Sequence, residues 1–282
     1  MAAERLTDLI IRSRLMDKIV SYDQIQEMVN QIRSMRNGFV TNFYWDEKKH
    51  PYWIKEGTLL YDSKPDCFLL IHTADGFANL YYIANSIDTA LCHFEEIKHE
   101  LDIVVDIVSK GESNDTIDLF KRYGFETYKS LFRMSHSGLM PVEEWSVDKV
   151  VISATKEDIG EISNCLHKGF DPLAEQLPSY QELSDFIDLD EILVVKDHES
   201  ICGFIIFEII GVTWYLRYWY TSSDYRNIGV GSKLLKASLI RGRETKRQIL
   251  WVMSDNENAI KRYNHYGFER ELMNDNILIK RK

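Results

Sequence analysis

The chain of 282 residues has little cysteine, proline or glycine: 4, 5 and 14 residues respectively. No two cysteines stand in a C-x-x-C spacing, which argues against a disulfide framework and against a zinc site. The longest apolar runs are broken by charge or glycine well short of the ~20 residues of a membrane-spanning helix. We therefore expect a globular protein with reduced thiols, no metal and no membrane partner.

Basic charge is also scarce. The 34 Lys and Arg residues against 44 Asp and Glu residues give a net charge of −10. The acidic excess is spread over both halves of the sequence, so neither half presents the basic face of a nucleic-acid-binding domain. The N-terminal MAAERLTDLI carries acidic residues rather than a basic, apolar leader, and we expect a cytoplasmic protein with no nucleic-acid partner.

Residues 214–242 read as a strand, a glycine-containing turn and a helix. The aromatic run WYLRYWY is followed by polar residues, then by RNIGVG at 226–231, and then by apolar residues at helical spacing. Glycines at the start of a helix let backbone N–H groups approach a phosphate closely, and the helix dipole adds about half a positive charge. This stretch predicts a pyrophosphate-binding turn.

A second motif, NENAIKRYNHYGF at 256–268, follows a predicted strand over 248–253. Together the two motifs resemble the GNAT superfamily of acyl-CoA-dependent N-acyltransferases, over about residues 149–279. In that family R-x-x-G-x-G binds the pyrophosphate of acetyl-CoA, and the second motif supplies an Asn beside the pantetheine arm and a Tyr general acid. The resemblance implies Tyr263 as the acid and a cosubstrate site formed by Thr221, Arg226, Asn227, Ile228, Gly229, Val230, Gly231, Ser232 and Asn256.

The general base is less well defined. Many family members place a Glu on the strand before the turn, but Tyr215 stands at that position. Glu208, within the apolar run FIIFEIIG, is the candidate base because burial would raise its pKa; an exposed strand charge and a water relay remain alternatives. Arg217 shares a strand face with Tyr215, and we expect both to contact the acceptor, with an ion pair to a neighbouring strand as the alternative for Arg217.

The first half repeats the second in weakened form. The quartet YGFE occurs at 123–126 and again at 266–269, and the same offset pairs Ile117 with Ile260. At that offset, however, Phe120 stands at Tyr263, and Ile83, Ser86 and Asp88 stand at the motif positions Arg226, Gly229 and Gly231. A Phe donates no proton, and a carboxylate opposes phosphate binding. We therefore expect a degenerate GNAT-like domain over 1–140 and a catalytic one over 141–282, with one CoA per chain.

The predicted fold is α/β, with a mixed, mostly antiparallel twisted sheet flanked by helices in each domain. Helices are expected over the first 36 residues, with a cap at Asp23, and over 86–101; a strand is expected over 38–45 and a linker over 135–144.

The predicted activity is transfer of an acetyl or short acyl group from acetyl-CoA to a small-molecule or peptide amine, by direct attack through a tetrahedral intermediate, in a monomer or homodimer. Two alternatives remain: a non-catalytic acyl-CoA-binding or scaffolding protein, and a tandem-GNAT aminoacyl transferase.

Overall fold

The computed structural model describes residues 16–74 and 76–282, and residues 1–15 of the predicted N-terminal helix lie outside this description. The described helix in this region, α1, covers Tyr22–Ser34 and buries Ile25, Met28 and Ile32. Its N-cap is Ser21, whose hydroxyl accepts a hydrogen bond from the Gln24 N–H at 3.3 Å. The predicted cap, Asp23, lies instead in the first turn, where its charge favours the helix dipole.

The chain divides into two compact units. Unit 1 comprises the described residues up to Ser130 together with Met273–Lys282, and unit 2 comprises Leu131–Leu272. The division expected after residue 140 differs from this arrangement in that residues 131–140 belong to unit 2 and 273–282 to unit 1. The difference arises from the strand that follows each YGFE quartet. Residues 131–137 pair with 247–253, which belong to unit 2, and residues 273–280 pair with 103–110, which belong to unit 1.

Unit 1 is a sheet with helices on both faces. Its elements besides α1 are β1 (Asp17–Lys18), β2 (Val40–Thr41), α2 (His50–Glu56), β3 (Leu59–Lys64), β4 (Cys67–Ala74), β5 (Phe77–Ala84), α3 (Ile87–Phe94), β6 (Ile103–Lys110), α4 (Asn114–Arg122) and most of the last strand, β13 (Glu269–Lys280). The strand order is β1-β3-β4-β5-β6-β13, with β2 paired to β5 and only β5–β6 parallel. Neighbouring β4 residues point to opposite sides: Leu69 packs in the cluster with Leu91 and Phe120, and Leu70 in the cluster with Ile25.

Unit 2 repeats this plan. Its elements are β7 (Glu126–Ser137), β8 (Val151–Ser153), α5 (Ile159–Gly169), α6 (Pro172–Glu175), α7 (Tyr180–Asp188), β9 (Ile192–Asp197), β10 (Ser200–Ile210), β11 (Thr213–Thr221), α8 (Val230–Arg241), β12 (Arg247–Met253) and α9 (Glu257–His265). The strand order is β7-β12-β11-β10-β9-β8, with only β11–β12 parallel. On β10, Ile205 packs in the cluster with Leu234, whereas Ile206 packs with Ile162 and Leu183 on the other side.

The predicted mixed, mostly antiparallel sheet flanked by helices is thus confirmed in both units, but three predicted elements were wrong in extent. Of residues 38–45 only Val40–Thr41 forms a strand, and α2 follows it unpredicted. Its signals were present, because Pro51 lies in the first turn and Gly57, at φ 67°, ends the helix. The helix expected over 86–101 ends at Phe94, and the first residues of the expected linker belong to β7.

Across residues 16–74 and 76–282, no helix combines the length and apolar character needed to cross a membrane.

Candidate active site

A pocket opens in unit 2 because two parallel strands separate. The β11–β12 pairing runs only from Thr213 and Arg247 to Leu216 and Leu250, although β11 continues to Thr221 and β12 to Met253. The divergence leaves strand edge that an extended ligand can pair with. The pocket has a volume of about 810 Å³ and is lined by Phe170, Glu175, Leu216, Arg217, Trp219, Thr221, Tyr225, Arg226, Asn227, Gly229, Gly231, Ser232, Trp251, Val252, Met253, Asn256, Asn258, Ala259, Arg262 and Tyr263.

The N-terminus of α8 forms one end of this pocket. Its N-cap, Gly229, has a φ of 89°, a conformation that residues with a Cβ rarely adopt, and no side chain caps the helix. A Cβ at Gly231 would lie 3.1 Å from Thr221 Oγ1 and 3.2 Å from Trp219 Cζ2. Gly229 is therefore favoured by its positive φ and Gly231 by its close neighbours, and together they leave first-turn N–H groups available to an anion.

Positive side chains reinforce this end. Arg226 lines the pocket directly before the turn and donates from Nε to the Thr221 carbonyl at 3.4 Å. Arg262, on α9, also lines the pocket and places its guanidinium 5.4 Å from the Trp219 ring centroid. The sequence interpretation missed Arg262, although it directly precedes Tyr263. Two arginines beside an uncapped helix N-terminus suit a ligand with several phosphate charges.

Tyr263 lies in the same pocket on the inner face of α9. It is buried, and its ring packs against Trp219 and Phe268 at centroid distances of 5.7 and 6.1 Å. Burial raises the pKa of Tyr263 above its usual range, the charge of Glu175 adds to this effect, and Arg262 opposes it. The phenol therefore stays protonated at neutral pH and can donate to a ligand. Asn256 begins the same helix by accepting a hydrogen bond from the Ala259 N–H at 3.1 Å, and it too lines the pocket.

Glu208, Arg217 and Tyr215 form a packed group beside the pocket. Arg217 Nη1 lies 3.5 Å from Glu208 Oε2, and the guanidinium lies 4.9 Å from the Tyr215 ring centroid. Of the three only Arg217 is a lining residue; Glu208 is buried behind it. This placement matches the structural alternative for Arg217, an ion pair with a neighbouring strand, and it does not bring the expected base, Glu208, into the pocket.

The remaining predicted residues contribute to different degrees. Asn227, Ser232 and Thr221 line the pocket, whereas Ile228 is exposed on the turn and the Val230 side chain packs in the core. Val230 can therefore contribute only its backbone.

Several lining residues escaped the sequence interpretation. Glu175 ends α6, a short helix signalled only by Asp171-Pro172, with the Asp171 side chain capping the Leu173 N–H. Trp219 follows Arg217 by two residues on β11 and lines the pocket, and no site role was predicted for it. Within the described part of the chain, the buried indole N–H of Trp219 has no hydrogen-bond partner.

Among the described residues there is no group of three His, Cys, Asp or Glu side chains that could hold a metal ion.

Unit 1 carries the corresponding helix N-terminus in a closed form. The N-cap of α3 is Ser86, at the repeat position of Gly229, and its hydroxyl accepts from the Thr89 N–H at 3.1 Å. Asp88 follows in the first turn, where it accepts a hydrogen bond from the Tyr123 hydroxyl at 3.1 Å. Phe120, at the repeat position of Tyr263, is fully buried. The helix start that could receive an anion in unit 2 is thus capped by its own side chain in unit 1.

The strand edge in unit 1 is also occupied. β5 pairs in parallel with β6 only through Ala78 and Asn79, after which β2 pairs with the C-terminal end of β5, at Ile83 and Ala84. Between these points the Asn42 side chain donates to the Leu80 carbonyl at 3.1 Å and accepts from the Tyr82 N–H at 2.8 Å. The edge that lines the open pocket in unit 2 is therefore covered in unit 1 by the chain itself.

A mixed sheet, a diverging parallel strand pair and an open glycine turn thus come together in unit 2. Residues 159–268, which include both motifs, match the model of the acetyltransferase (GNAT) family. For this part of the chain, the match confirms the resemblance inferred from the two motifs.

The solved structures support the same fold over nearly the whole chain. A tandem GNAT protein from the clavulanic acid biosynthesis pathway is 11% identical, with a TM-score of 0.60 and coverage of 95% of this chain and 98% of that one. A GCN5-related N-acetyltransferase from Sphaerobacter thermophilus is 13% identical, with a TM-score of 0.58 and coverage of 95% of each chain. A GNAT-family acetyltransferase from Colwellia psychrerythraea is 15% identical, with a TM-score of 0.55 and coverage of 95% and 100%. A comparison with curated proteins finds no significant match.

Proposed function

We propose that unit 2 transfers an acetyl or short acyl group from acetyl-CoA to an amine. The observation that carries this proposal is the pocket itself, in which the uncapped glycine start of α8 and the phenol of Tyr263 lie at the two sides of the gap between β11 and β12. The family and fold support an acyltransferase activity in general; the acetyl donor, the amine acceptor and a cytoplasmic location belong to the proposal.

The residues present fit acetyl-CoA as cosubstrate. An added Cβ at Gly231 would meet Thr221 and Trp219, so this position has room for a backbone but little room for a side chain. Acetyl-CoA would supply the thioester whose C–S bond breaks as the acceptor nitrogen forms the new C–N bond. The phosphates would be bound by Arg226, Arg262 and the backbone N–H groups at 229–232, that is, of Gly229, Val230, Gly231 and Ser232. The turn residues Asn227 and Ile228 would flank the phosphates. Thr221 and Asn256 would lie beside the pantetheine arm.

The protein's own residues are proposed to donate a proton and to stabilise the charge that develops during the transfer. An acceptor that arrives as an ammonium gives up two protons in becoming an amide; one ends on the departing thiol and the other reaches solvent. Tyr263 holds a proton that it can donate towards the departing sulfur, and the Thr221 backbone N–H is proposed to polarise the carbonyl. Glu208 acts in this account by fixing Arg217, because its carboxylate lies against that guanidinium.

Unit 1 is proposed to bind no CoA. Its helix start is capped by Ser86, its first turn carries Asp88, and its strand edge is covered by Val40, Thr41 and Asn42. A single acyl-CoA site per chain follows.

A non-catalytic acyl-CoA-binding protein remains the second candidate, and the Tyr263 hydroxyl separates the two because binding alone does not need it. A tandem-GNAT aminoacyl transferase is disfavoured because its donor does not need the R-x-x-G-x-G turn.

The proposal is tested by turnover with isotopically labelled acetyl-CoA and a panel of small-molecule and peptide amines, followed by mass spectrometry. We expect N-acetylated product, and a kcat about 100-fold lower in Tyr263→Phe, which keeps the buried ring but loses the proton donor. CoA affinity, measured by calorimetry, should be unchanged. Bound acetyl-CoA with no product from any amine would favour the non-catalytic alternative, and wild-type turnover in Tyr263→Phe would leave the hydroxyl with a structural role only.

A further inference from the structure

We infer that the acceptor is a zwitterion, carrying a primary amine and a carboxylate as an amino acid does, with the ammonium held by Glu175 and the carboxylate by Arg217. This inference rests on the proposed function, because it identifies the molecule that occupies the acceptor end of the same pocket.

The pocket has two chemically different ends. The α8 end contains the glycine turn with Arg226 and Arg262, which suits phosphates. The other end is formed by α6 and the middle of β11, and its charged lining residues there are one carboxylate, Glu175, and one guanidinium, Arg217. Opposite charges at one end of a pocket are complementary to a ligand that carries both signs.

The end of α6, which carries Glu175, is held against the part of β11 that carries Arg217. Tyr218, the neighbour of Arg217 on β11, is buried and donates from its hydroxyl to the carbonyls of Glu175 at 2.8 Å and Gln176 at 3.0 Å. These bonds hold the C-terminal end of α6 against β11. The Glu175 carboxylate is held in turn by the Asp171 N–H, which donates to Oε2 at 3.0 Å.

Glu175 and the proposed acid, Tyr263, line the same pocket. The negative charge of Glu175 also adds to the effect of burial in raising the pKa of Tyr263. An ammonium held by Glu175 therefore has its nitrogen near the group that serves the departing sulfur, which is where an attacking amine is needed.

Arg217 is directed by a β-bulge. Ile206 pairs with Tyr218 and the next residue, Phe207, pairs with Leu216, so Arg217 is the extra residue on β11. Glu208 and the Tyr215 ring hold its guanidinium from one side. Because a guanidinium carries five N–H donors in a planar fork, the same group can bind Glu208 and a ligand carboxylate together.

The discriminating experiment compares matched acceptors. The probes are the standard amino acids, their carboxamides and the corresponding decarboxylated amines, assayed with acetyl-CoA; binding of the best amino acid to the CoA-loaded protein is measured by calorimetry as well. We expect kcat/KM to be about 10- to 100-fold higher for the acid than for its carboxamide or amine, because a buried site built for a charged partner discriminates strongly against its absence.

Two variants assign the preference to Arg217. Arg217→Gln should remove the preference for the acid, and the double variant Arg217→Gln/Glu208→Gln should do the same without leaving the Glu208 carboxylate buried and unpaired. Glu175→Gln should weaken amino-acid binding and leave CoA affinity unchanged. Lys156→Gln removes one partner of an exposed ion pair with Asp188 outside the pocket and is the matched control, with no effect expected.

Each result bears on the inference separately from the proposed function. Equal or better use of carboxamides or simple amines would overturn the zwitterion assignment and leave acetyl transfer standing. Acetylation of none of the three sets, with acetyl-CoA bound, would also overturn it. A preference for acids that survives in both Arg217 variants would place carboxylate recognition elsewhere and refute the role of Arg217. Failure of the wild-type chain to bind acetyl-CoA would overturn the proposed function itself.

Discussion

Replacing Gly231 with Glu isolates the pyrophosphate site from the rest of the fold. The added Cβ would lie 3.1 Å from Thr221 Oγ1, 3.2 Å from Trp219 Cζ2 and 3.3 Å from Arg262 Nη1. These neighbours must move by a few tenths of an ångström, and one of the three atoms, Arg262 Nη1, is the far end of a flexible side chain. Beyond the Cβ, the new carboxylate stands where the phosphates are expected.

The effects on stability and on binding should differ widely. A Glu in the first turn of α8 interacts favourably with the helix dipole, by about 0.3–1 kcal/mol, which offsets part of the steric cost. Crowding of this kind costs about 1–3 kcal/mol, so the free energy of unfolding should fall by roughly 1–2 kcal/mol. A like charge beside the phosphates costs several kcal/mol, and each 1.4 kcal/mol is tenfold in Kd, so CoA should bind roughly 100-fold more weakly or worse.

Calorimetric titration with CoA, beside a denaturant titration of each variant, measures both quantities. The matched control is Gly160→Glu, which adds the same charge in the first turn of α5, where nothing lies within 4 Å of the new Cβ. Unchanged CoA affinity in a folded Gly231→Glu variant would refute the assignment of the site. Equal losses in both variants would mean that net charge, rather than the turn, controls binding.

Three further predictions concern pH. Because burial raises the pKa of Tyr263, acetyl transfer should show no alkaline loss of activity attributable to this residue below about pH 10, and an alkaline limb near pH 8 that disappears in Tyr263→Phe would contradict this. Burial alone would raise the pKa of Glu271, but hydrogen bonds from Ser135, Arg247 and Arg133 lower it to about 2. The ionised carboxylate therefore stabilises the fold by about 3 kcal/mol, judged by the size of the shift, and this stabilisation is present above pH 4.5 and lost as the pH falls towards 2. Glu271→Gln should reduce the dependence of the free energy of unfolding on pH in this range, and an unchanged slope would count against the shift. Burial lowers the pKa of His72 to about 3, so below pH 6.5 the unfolded chain binds a proton at this residue and the folded chain does not. The free energy of unfolding should therefore fall by about 1.4 kcal/mol per pH unit between pH 6 and 4 because of this group. His72→Phe, which keeps a ring stacked on Trp53, should remove that part of the pH dependence.

Local sequence predicted the parts of the site that depend on local backbone. Gly229 needs a positive φ, and Gly231 a close approach, so the turn is encoded within six residues. Asn256 and Tyr263 are fixed by one helix. Even the repeat was readable, because the shared YGFE quartet sets the offset at which Ser86 and Gly229 are both N-caps. Their catalytic and binding roles stay predictions.

Features that depend on distant pairing were not readable. Arg217 is the extra residue of a β-bulge on β11, and that bulge is set by the register in which β11 pairs with β10. Glu175 lies at the pocket because the Tyr218 hydroxyl, 43 positions away in the sequence, donates a hydrogen bond to its carbonyl and so holds α6 against β11. The pairing of 131–137 with β12 and of 273–280 with β6 moved the domain division for the same reason. The alternation of residues in a strand predicts which of its faces is apolar, but it does not predict which strand will be its neighbour in the sheet.

The number of CoA molecules bound per chain tests the central claim most directly, since unit 2 has an open glycine turn and unit 1 a capped helix start with a covered strand edge. Calorimetric titration of the intact chain with CoA should reach saturation at one equivalent in the wild type and show no binding in Gly231→Glu at the same concentrations. Two equivalents, or one equivalent that survives in Gly231→Glu, would contradict the claim.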